Sequence, residues 1–161
     1  MKKIFLDMDG TLANFNVENA LQRFQVEKGF FANLKAYKGI EKINELVLQN
    51  NFYIISASPN NNADKDKMTW LEKYLPNLKK EHILFCRLGE NKANFIENKL
   101  KIKIDNNCIL LDDYTKNLIE WEAVGGKGIK RLTSIADNKS QRWKGLAIRG
   151  LIELKGILTI V

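Results

Sequence analysis

The sequence predicts an α/β fold built on a doubly wound parallel sheet. Three observations predict it. Short apolar runs alternate with segments of helical period along most of the chain. The stretches between those runs are long enough to carry helices, which parallel neighbours require as crossovers. Three of the runs close on short polar or acidic residues, the chemistry expected where a crevice opens at the carboxyl ends of strands.

KIFLD at 3–7 is an apolar run ending in acid, and reads as a buried first strand. Residues 17–28 place Val17, Ala20, Leu21 and Phe24 on one helical face. Gly29-Phe30-Phe31 follows as a turn. Residues 39–50 align Ile40, Ile43, Leu46 and Val47, a second amphipathic helix closed by Asn50-Asn51. FYII at 52–55 is β-branched and aromatic, a second strand running into a polar turn, SASPNNN. Residues 63–75 suit a helix that Pro76 terminates. HILFC at 82–86 is a third strand and 90–99 a helix. CILLDD at 108–113 is a buried strand that again ends in acids. Residues 115–125 form a helix stopped by Gly125-Gly126, and 128–132 a fifth strand. Beyond Ile135 the pattern weakens. LIELKGILTIV at 151–161 mixes alternation with an apolar end and reads as a strand.

A chain of 161 residues is expected to form one domain, residues 1–161. The apolar stretch behind Lys2 and Lys3 is too short for a signal-peptide core, and no run reaches the ~18 apolar residues of a membrane span. Cys86 and Cys108 lie in apolar runs and read as buried thiols. These features predict a cytoplasmic protein with no membrane partner. The net charge of +7 is dispersed among acids rather than gathered in blocks, which favours a solvated basic surface or a field for small anions. No nucleic-acid polymer is expected as a partner, and oligomeric state is left open. One histidine and two unpaired cysteines argue against zinc, and His82 reads as structural.

The strand ends gather Asp7, Asp9, Ser56, Ser58, Asp112 and Asp113 at one edge of the sheet. Four carboxylates so placed repel one another unless a cation neutralises them. Mg²⁺ suits oxygen ligands and binds through one or two carboxylates plus a substrate phosphate. An aspartate beside such a phosphate can attack phosphorus. That attack needs a partner to protonate the leaving alcohol and then activate water. Asp9, two residues on from Asp7, points to the same side of an extended chain. The Ser56 hydroxyl, the Ser58 hydroxyl and the Ala57 N–H are candidate phosphate donors. Lys92, Lys99, Lys101 and Lys103 are candidates for the neutralising cation. Phe15, Phe30 and Phe31 either line a base-binding pocket or pack together as local core.

DMDGT at 7–11 resembles the first motif of the haloacid-dehalogenase-like (HAD) phosphatases. ISASP at 55–59 is similar to their second motif, and LLDD at 110–113 to their acidic fourth. The order and spacing match, over residues 3 to about 134. DMDGTLANF, the Gly-Phe-Phe and Asn33-Leu34 that follow, Asn117-Leu118 and Gly125-Gly126 resemble the 5′(3′)-deoxyribonucleotidase-like branch. The resemblance implies a small helical cap inserted after the first strand, at about 14–38. It implies Asp7 as nucleophile and Mg²⁺ ligand, and Asp9 as general acid/base with its backbone carbonyl on the metal. It further implies Ser56 on the phosphoryl group, Lys92 as the third-motif lysine, and Asp113 on the metal with Asp112 beside it.

The expected function is a Mg²⁺-dependent phosphomonoesterase working through an aspartyl-phosphate, acting on nucleoside 5′-monophosphates. The rivals are a phosphatase or phosphotransferase for another small phosphate ester, and a catalytically silent nucleotide-binding module.

Overall fold

The computed structural model describes residues 1–49, 51–133 and 143–161. Six strands form one fully parallel sheet: β1 (Lys3–Leu6), β2 (Phe52–Ser58), β3 (Ile83–Arg87), β4 (Cys108–Asp112), β5 (Lys127–Arg131) and β6 (Leu146–Ile148). Their order across the sheet is β3-β2-β1-β4-β5-β6. The chain starts in the middle, winds outward to β3, then returns to β4 on the other side of β1. The order therefore reverses between β1 and β4, and a crevice opens beyond their carboxyl ends.

The helices are α1 (Ala20–Val26), α2 (Ile40–Leu46), α3 (Asn61–Tyr74), α4 (Lys92–Leu100), α5 (Thr115–Ala123) and α6 (Leu154–Ile160). Strand alternation assigns them to two faces. Ile4, Leu6, Ile54, Ile109 and Leu111 point to a core shared with Ile43 of α2, Trp70 and Leu71 of α3, and Leu154 of α6. Phe5, Ile55, Leu84 and Leu110 point the other way, to Ile96 of α4 and to Leu118 and Trp121 of α5. Burial on both faces is why these strands read as continuous apolar runs.

The five strands read from sequence are present, with shifted ends. β2 continues through Ser58 instead of turning at Ser56, because β3 pairs with it as far as Ser58↔Arg87. Ser56 and Ser58 are thus strand residues on one face, both fully buried. The first helix is shorter than 17–28. Asn19 adopts a left-handed conformation (φ 54°) before α1, and Glu27 is extended after it. Leu21 falls on the solvent side, 65% exposed. The second keeps its predicted face, but after Leu46 it tightens into a 3₁₀ turn, Val47–Gln49. Its predicted end at Asn50 lies outside the described residues. His82 donates through Nδ1–H to the Phe52 carbonyl oxygen (2.9 Å) and stacks on Tyr53, a structural setting.

Residues 151–161 are not a strand. Leu151–Glu153 is a 3₁₀ turn leading into α6. Leu151, Leu154, Ile157 and Leu158 recur at helical spacing and face the first core, so the period of the buried residues outweighs the local alternation. The edge strand β6 has only three residues and was not legible in the sequence. Cys86 and Cys108 are buried free thiols, as expected. No helix among the described residues is long and apolar enough to cross a membrane.

Residues 14–38 pack over the carboxyl end of the sheet. Asn14 N–H donates to the Lys35 carbonyl (2.7 Å), Tyr37 N–H donates to that of Leu12 (2.9 Å), and Ala13 pairs antiparallel with Ala36. Trp70 in α3 is wholly buried, and its indole N–H donates to the Leu34 carbonyl (2.8 Å). Trp70→Phe leaves that carbonyl without its partner, at a cost of ~1–3 kcal/mol. The expected result is a lowered thermal midpoint, by about 2–4 °C for each kcal/mol lost. An unchanged midpoint in a melting experiment would show that this anchor is dispensable.

Candidate active site

Two loops meet at the reversal of strand order. The loop after β1 carries Asp7, Asp9, Gly10 and Thr11; the end of β4 carries Asp112 and Asp113. The ladder runs on past β1, since Asp7 N–H donates to the Leu111 carbonyl (2.9 Å). Gly10 then turns the chain with φ 81°. A Cβ there would stand 2.2 Å from Asp113 Oδ2, so the position requires glycine for space as well as for backbone angle.

Carboxylate oxygens of Asp7, Asp112 and Asp113 lie within 4.8 Å of one another. Lys92, at the first turn of α4, donates to Asp7 Oδ1 and Asp112 Oδ2, both at 2.7 Å. The lysine is buried together with both partners. Burial works against its charge, but Asp112 and Asp7 outweigh that and hold the ammonium above its ordinary value. Of the four lysine candidates, Lys92 is the one brought to the carboxylates. Lys99, Lys101 and Lys103 fall at and beyond the end of α4.

The remaining acceptors sort the two acids of β4. Asp112 is fully engaged: Tyr114 N–H donates to Oδ1 (2.8 Å), and Asn117 Nδ2 joins Lys92 on Oδ2 (2.9 Å). Among the described residues, the Asp113 carboxylate accepts only from the Thr11 hydroxyl, at 3.4 Å. That hydroxyl lies closer to Asp7 Oδ2 (2.9 Å) and accepts from Asp113 N–H (3.1 Å). Burial, then the charge of Asp7, push the Asp112 carboxyl up. Burial, Asp7 and Asp112 together push Asp113 well above the ordinary carboxylate range. Lys92 bonds two of these three carboxylates and Lys130 opposes the shift of Asp113, yet burial and mutual repulsion prevail, a conflict that a hard cation would relieve. The all-oxygen donor set, with Asp113 least engaged, fits Mg²⁺.

Asp9 stands apart from that cluster. Its Oδ2 accepts from Lys67 Nζ at 2.5 Å, whereas its Oδ1 is buried with no partner among the described residues. Burial lifts the Asp9 carboxyl above its ordinary value, and Asp7 adds to this; Lys67 and Lys92 oppose without cancelling it. Ser56 Oγ accepts from Lys67 (2.9 Å). Ser58 donates to the Asn60 carbonyl (3.4 Å), which leaves it turned toward the start of α3. Ala57 uses its carbonyl on Lys67 (2.7 Å).

Phe30 and Phe31 are buried and meet edge to face, with ring centres 5.2 Å apart. Phe15 stacks on Phe31 (6.4 Å), and Phe24 joins them. Phe15, Phe30 and Phe31 are thus part of one aromatic cluster within residues 14–38, with Phe24. Phe31 and Phe24 also edge a cleft of ≈ 440 Å³, with Asn60, Asn62, Lys65 and Asp66 on its far side.

Sequence reading missed Lys67, Thr11 and Asn117 as site neighbours. Lys67 had a signal: with Ala63, Trp70 and Leu71 it forms the buried stripe of α3, where an ordinary lysine does not belong.

The sheet order and the aspartate-lined crevice define a HAD-type hydrolase fold. Solved structures share it. D,D-heptose 1,7-bisphosphate phosphatase from B. bronchiseptica, solved with magnesium and phosphate, is 13% identical over the whole of both chains, with a TM-score of 0.72. A haloacid dehalogenase-like hydrolase from Streptococcus pneumoniae is 12% identical over 98% of each chain, with a TM-score of 0.67. A HAD hydrolase of family IA, variant 3, from Entamoeba histolytica is 16% identical over 95% of each chain, with a TM-score of 0.66. Comparison with curated proteins yields no match. Residues 11–139 match the family described as 5′ nucleotidase, deoxy (pyrimidine), cytosolic type C protein, and the chain belongs to that family. The match begins just after the Asp7–Asp9 pair.

Proposed function

We propose that the protein is a Mg²⁺-dependent phosphomonoesterase that acts on nucleoside 5′-monophosphates. The observation that carries this reading is the meeting of Asp7, Asp112 and Asp113 at one point, with the unpartnered Asp9 Oδ1 on the same strand end.

Asp7, Asp113 and Asp112 would hold the cation. When bound, Mg²⁺ offsets the charge of the carboxylates and of the phosphate brought against them. Lys92 and Thr11 each take one oxygen of Asp7 and so fix the orientation of its carboxylate. Asp7 attacks phosphorus. As the phosphorus–oxygen bond to the alcohol breaks, Asp9 passes its proton to the departing oxygen. The products of this half are an aspartyl-phosphate on Asp7, the free alcohol and an Asp9 carboxylate. Asp9 then takes a proton from water as that water attacks phosphorus. The bond to Asp7 breaks, releasing inorganic phosphate and restoring both aspartates. The raised proton affinity of Asp9 suits it to carry a proton in the first half.

Ser56 contributes its hydroxyl to the phosphoryl oxygens, with backbone N–H groups at Ala57 and Ser58 as further donors. Residues 14–38 serve as a small cap. Its cleft of ≈ 440 Å³ falls within the roughly 300–1,000 Å³ usual for small-ligand sites. Phe31 at its edge offers an apolar face, and Asn60 and Asn62 offer amides, a lining that suits a nucleoside. Family membership supports the same substrate class, and the family's description as cytosolic agrees with a cytoplasmic site of action.

The test is release of inorganic phosphate from a panel of ribo- and deoxyribonucleoside 5′-monophosphates and sugar phosphates, with Mg²⁺ and with a chelator. Turnover of nucleotides that the chelator abolishes is the expected result. Preference for sugar phosphates would reassign the substrate. Undiminished turnover in chelator would remove the metal, and binding without turnover would mark a silent module.

A further inference from the structure

We propose that Lys67 is a positioning residue that locks the general acid and the phosphate-binding serine into one rigid unit. The proposal rests on the phosphatase reading above, and it concerns a residue outside the motifs that suggested that reading.

Lys67 is fully buried in the middle of α3. An ammonium has three N–H donors, and each has an acceptor here: Asp9 Oδ2 at 2.5 Å, Ala57 O at 2.7 Å and Ser56 Oγ at 2.9 Å. The Phe31 ring covers the remaining side, its centre 4.5 Å from Nζ. Nothing is left over for a substrate, so Lys67 is not a phosphate ligand.

Its three bonds have consequences for both partners. Ser56 Oγ is used as an acceptor, and no described residue takes its hydrogen. That hydrogen is therefore free for a phosphoryl oxygen. Asp9 is held by Oδ2, so Oδ1 is the oxygen left to exchange a proton with the leaving group. Ala57 O ties both to the end of β2. The general acid comes from the loop after β1 and the serine from β2, and one side chain from a third element sets their spacing. Catalysis loses steeply when such groups drift by about 1 Å. Phe31 adds a connection to residues 14–38, whose ring shields the ammonium from water.

A residue that acts through the general acid matters most where the leaving group needs a proton. The test is Lys67→Met, assayed on p-nitrophenyl phosphate, whose phenolate departs readily, and on a nucleoside 5′-monophosphate, whose alkoxide does not. The expected loss in kcat is ~100-fold or more on the nucleotide and about tenfold or less on the aryl ester, with KM changing by less than about threefold on either. A buried aspartate robbed of its partner can prevent folding. Asp9→Asn/Lys67→Met removes both charges and is compared with Asp9→Asn alone on the aryl ester. The second substitution is expected to cost less than about threefold, because its effect passes through a group already removed. Equal losses on the two esters, or a further loss of about tenfold in the Asp9→Asn background, would overturn the role of Lys67 and leave the phosphatase reading intact. A wild-type protein that hydrolyses neither ester would overturn both.

Discussion

Asp7→Asn is expected to reduce phosphate release by roughly 10⁴-fold or more, the scale on which removal of a catalytic nucleophile is felt. The asparagine fills the same space, still accepts from Lys92 through Oδ1 and donates through Nδ2 to the Thr11 hydroxyl oxygen, so the fold is kept. It also removes one of three carboxylates that crowd within 4.8 Å. The charge of Asp7 opposes the charged forms of Asp9, Asp112 and Asp113, and for Asp112 and Asp113 only burial opposes them more. Without it, their charged forms become easier to hold. The thermal midpoint of the metal-free variant should therefore be no lower than that of the wild type. Wild-type turnover by Asp7→Asn would end the covalent mechanism. A collapse in midpoint would show instead that Asp7 holds the loop together mainly through Lys92.

The second expected result concerns metal and pH. Folding raises the proton affinities of Asp9, Asp112 and Asp113 above the ordinary carboxylate value of 3.8. Such groups favour the folded state fully below that value, and the advantage is lost as pH rises through their higher folded values. The metal-free protein should therefore melt higher at about pH 5 than at about pH 7.5. Asp64 is shifted the other way: burial opposes its charge, but Arg87 and Ser58 outweigh this, and the stability it adds is lost only as pH falls below 3.8. It does not disturb the comparison. Mg²⁺ at about 100 times its dissociation constant adds ~2.7 kcal/mol, on the order of 5–10 °C in midpoint for a chain of this length. That gain should be large at about pH 7.5 and shrink toward pH 5, where protons compete for the same oxygens. Calorimetry at two pH values, with and without Mg²⁺, decides it. No shift at the higher pH would remove the metal from the site.

The strands that carry the site were legible because they are buried on both faces. KIFL, FYII and CILL leave no alternation to interpret, and their polar ends mark where each strand reaches the crevice. One apolar run ending in acid is an ordinary turn; the acidic pairs were legible because three polar or acidic strand ends fall at one edge of a parallel sheet. Residues 151–161 were misread because Leu154-Lys155 and Leu158-Thr159 mimic strand alternation, while the contacts that select a helix come from α2 and the first core, remote in sequence. Lys67 escaped for a related cause. Its chemistry depends on Asp9, 58 residues earlier, and a lysine on the apolar stripe of a lysine-rich helix does not by itself name that partner. Thr11 stands in the DMDGT motif, but that its hydroxyl links Asp7 to Asp113 depends on β4 lying beside β1, which the local sequence does not show.

The hydrogen bonds that join Asn14 to Lys35 and Leu12 to Tyr37 make a stem. Everything between them leaves and re-enters the domain at one point. The span so closed is docked a second time within the domain, by the Trp70 indole on the Leu34 carbonyl and by Phe31 over Lys67. Doubling the length of a flexible insertion costs only ~0.6 kcal/mol in closure entropy. The stem therefore sets where the span begins and ends, while the Trp70 and Phe31 contacts set how it lies against α3.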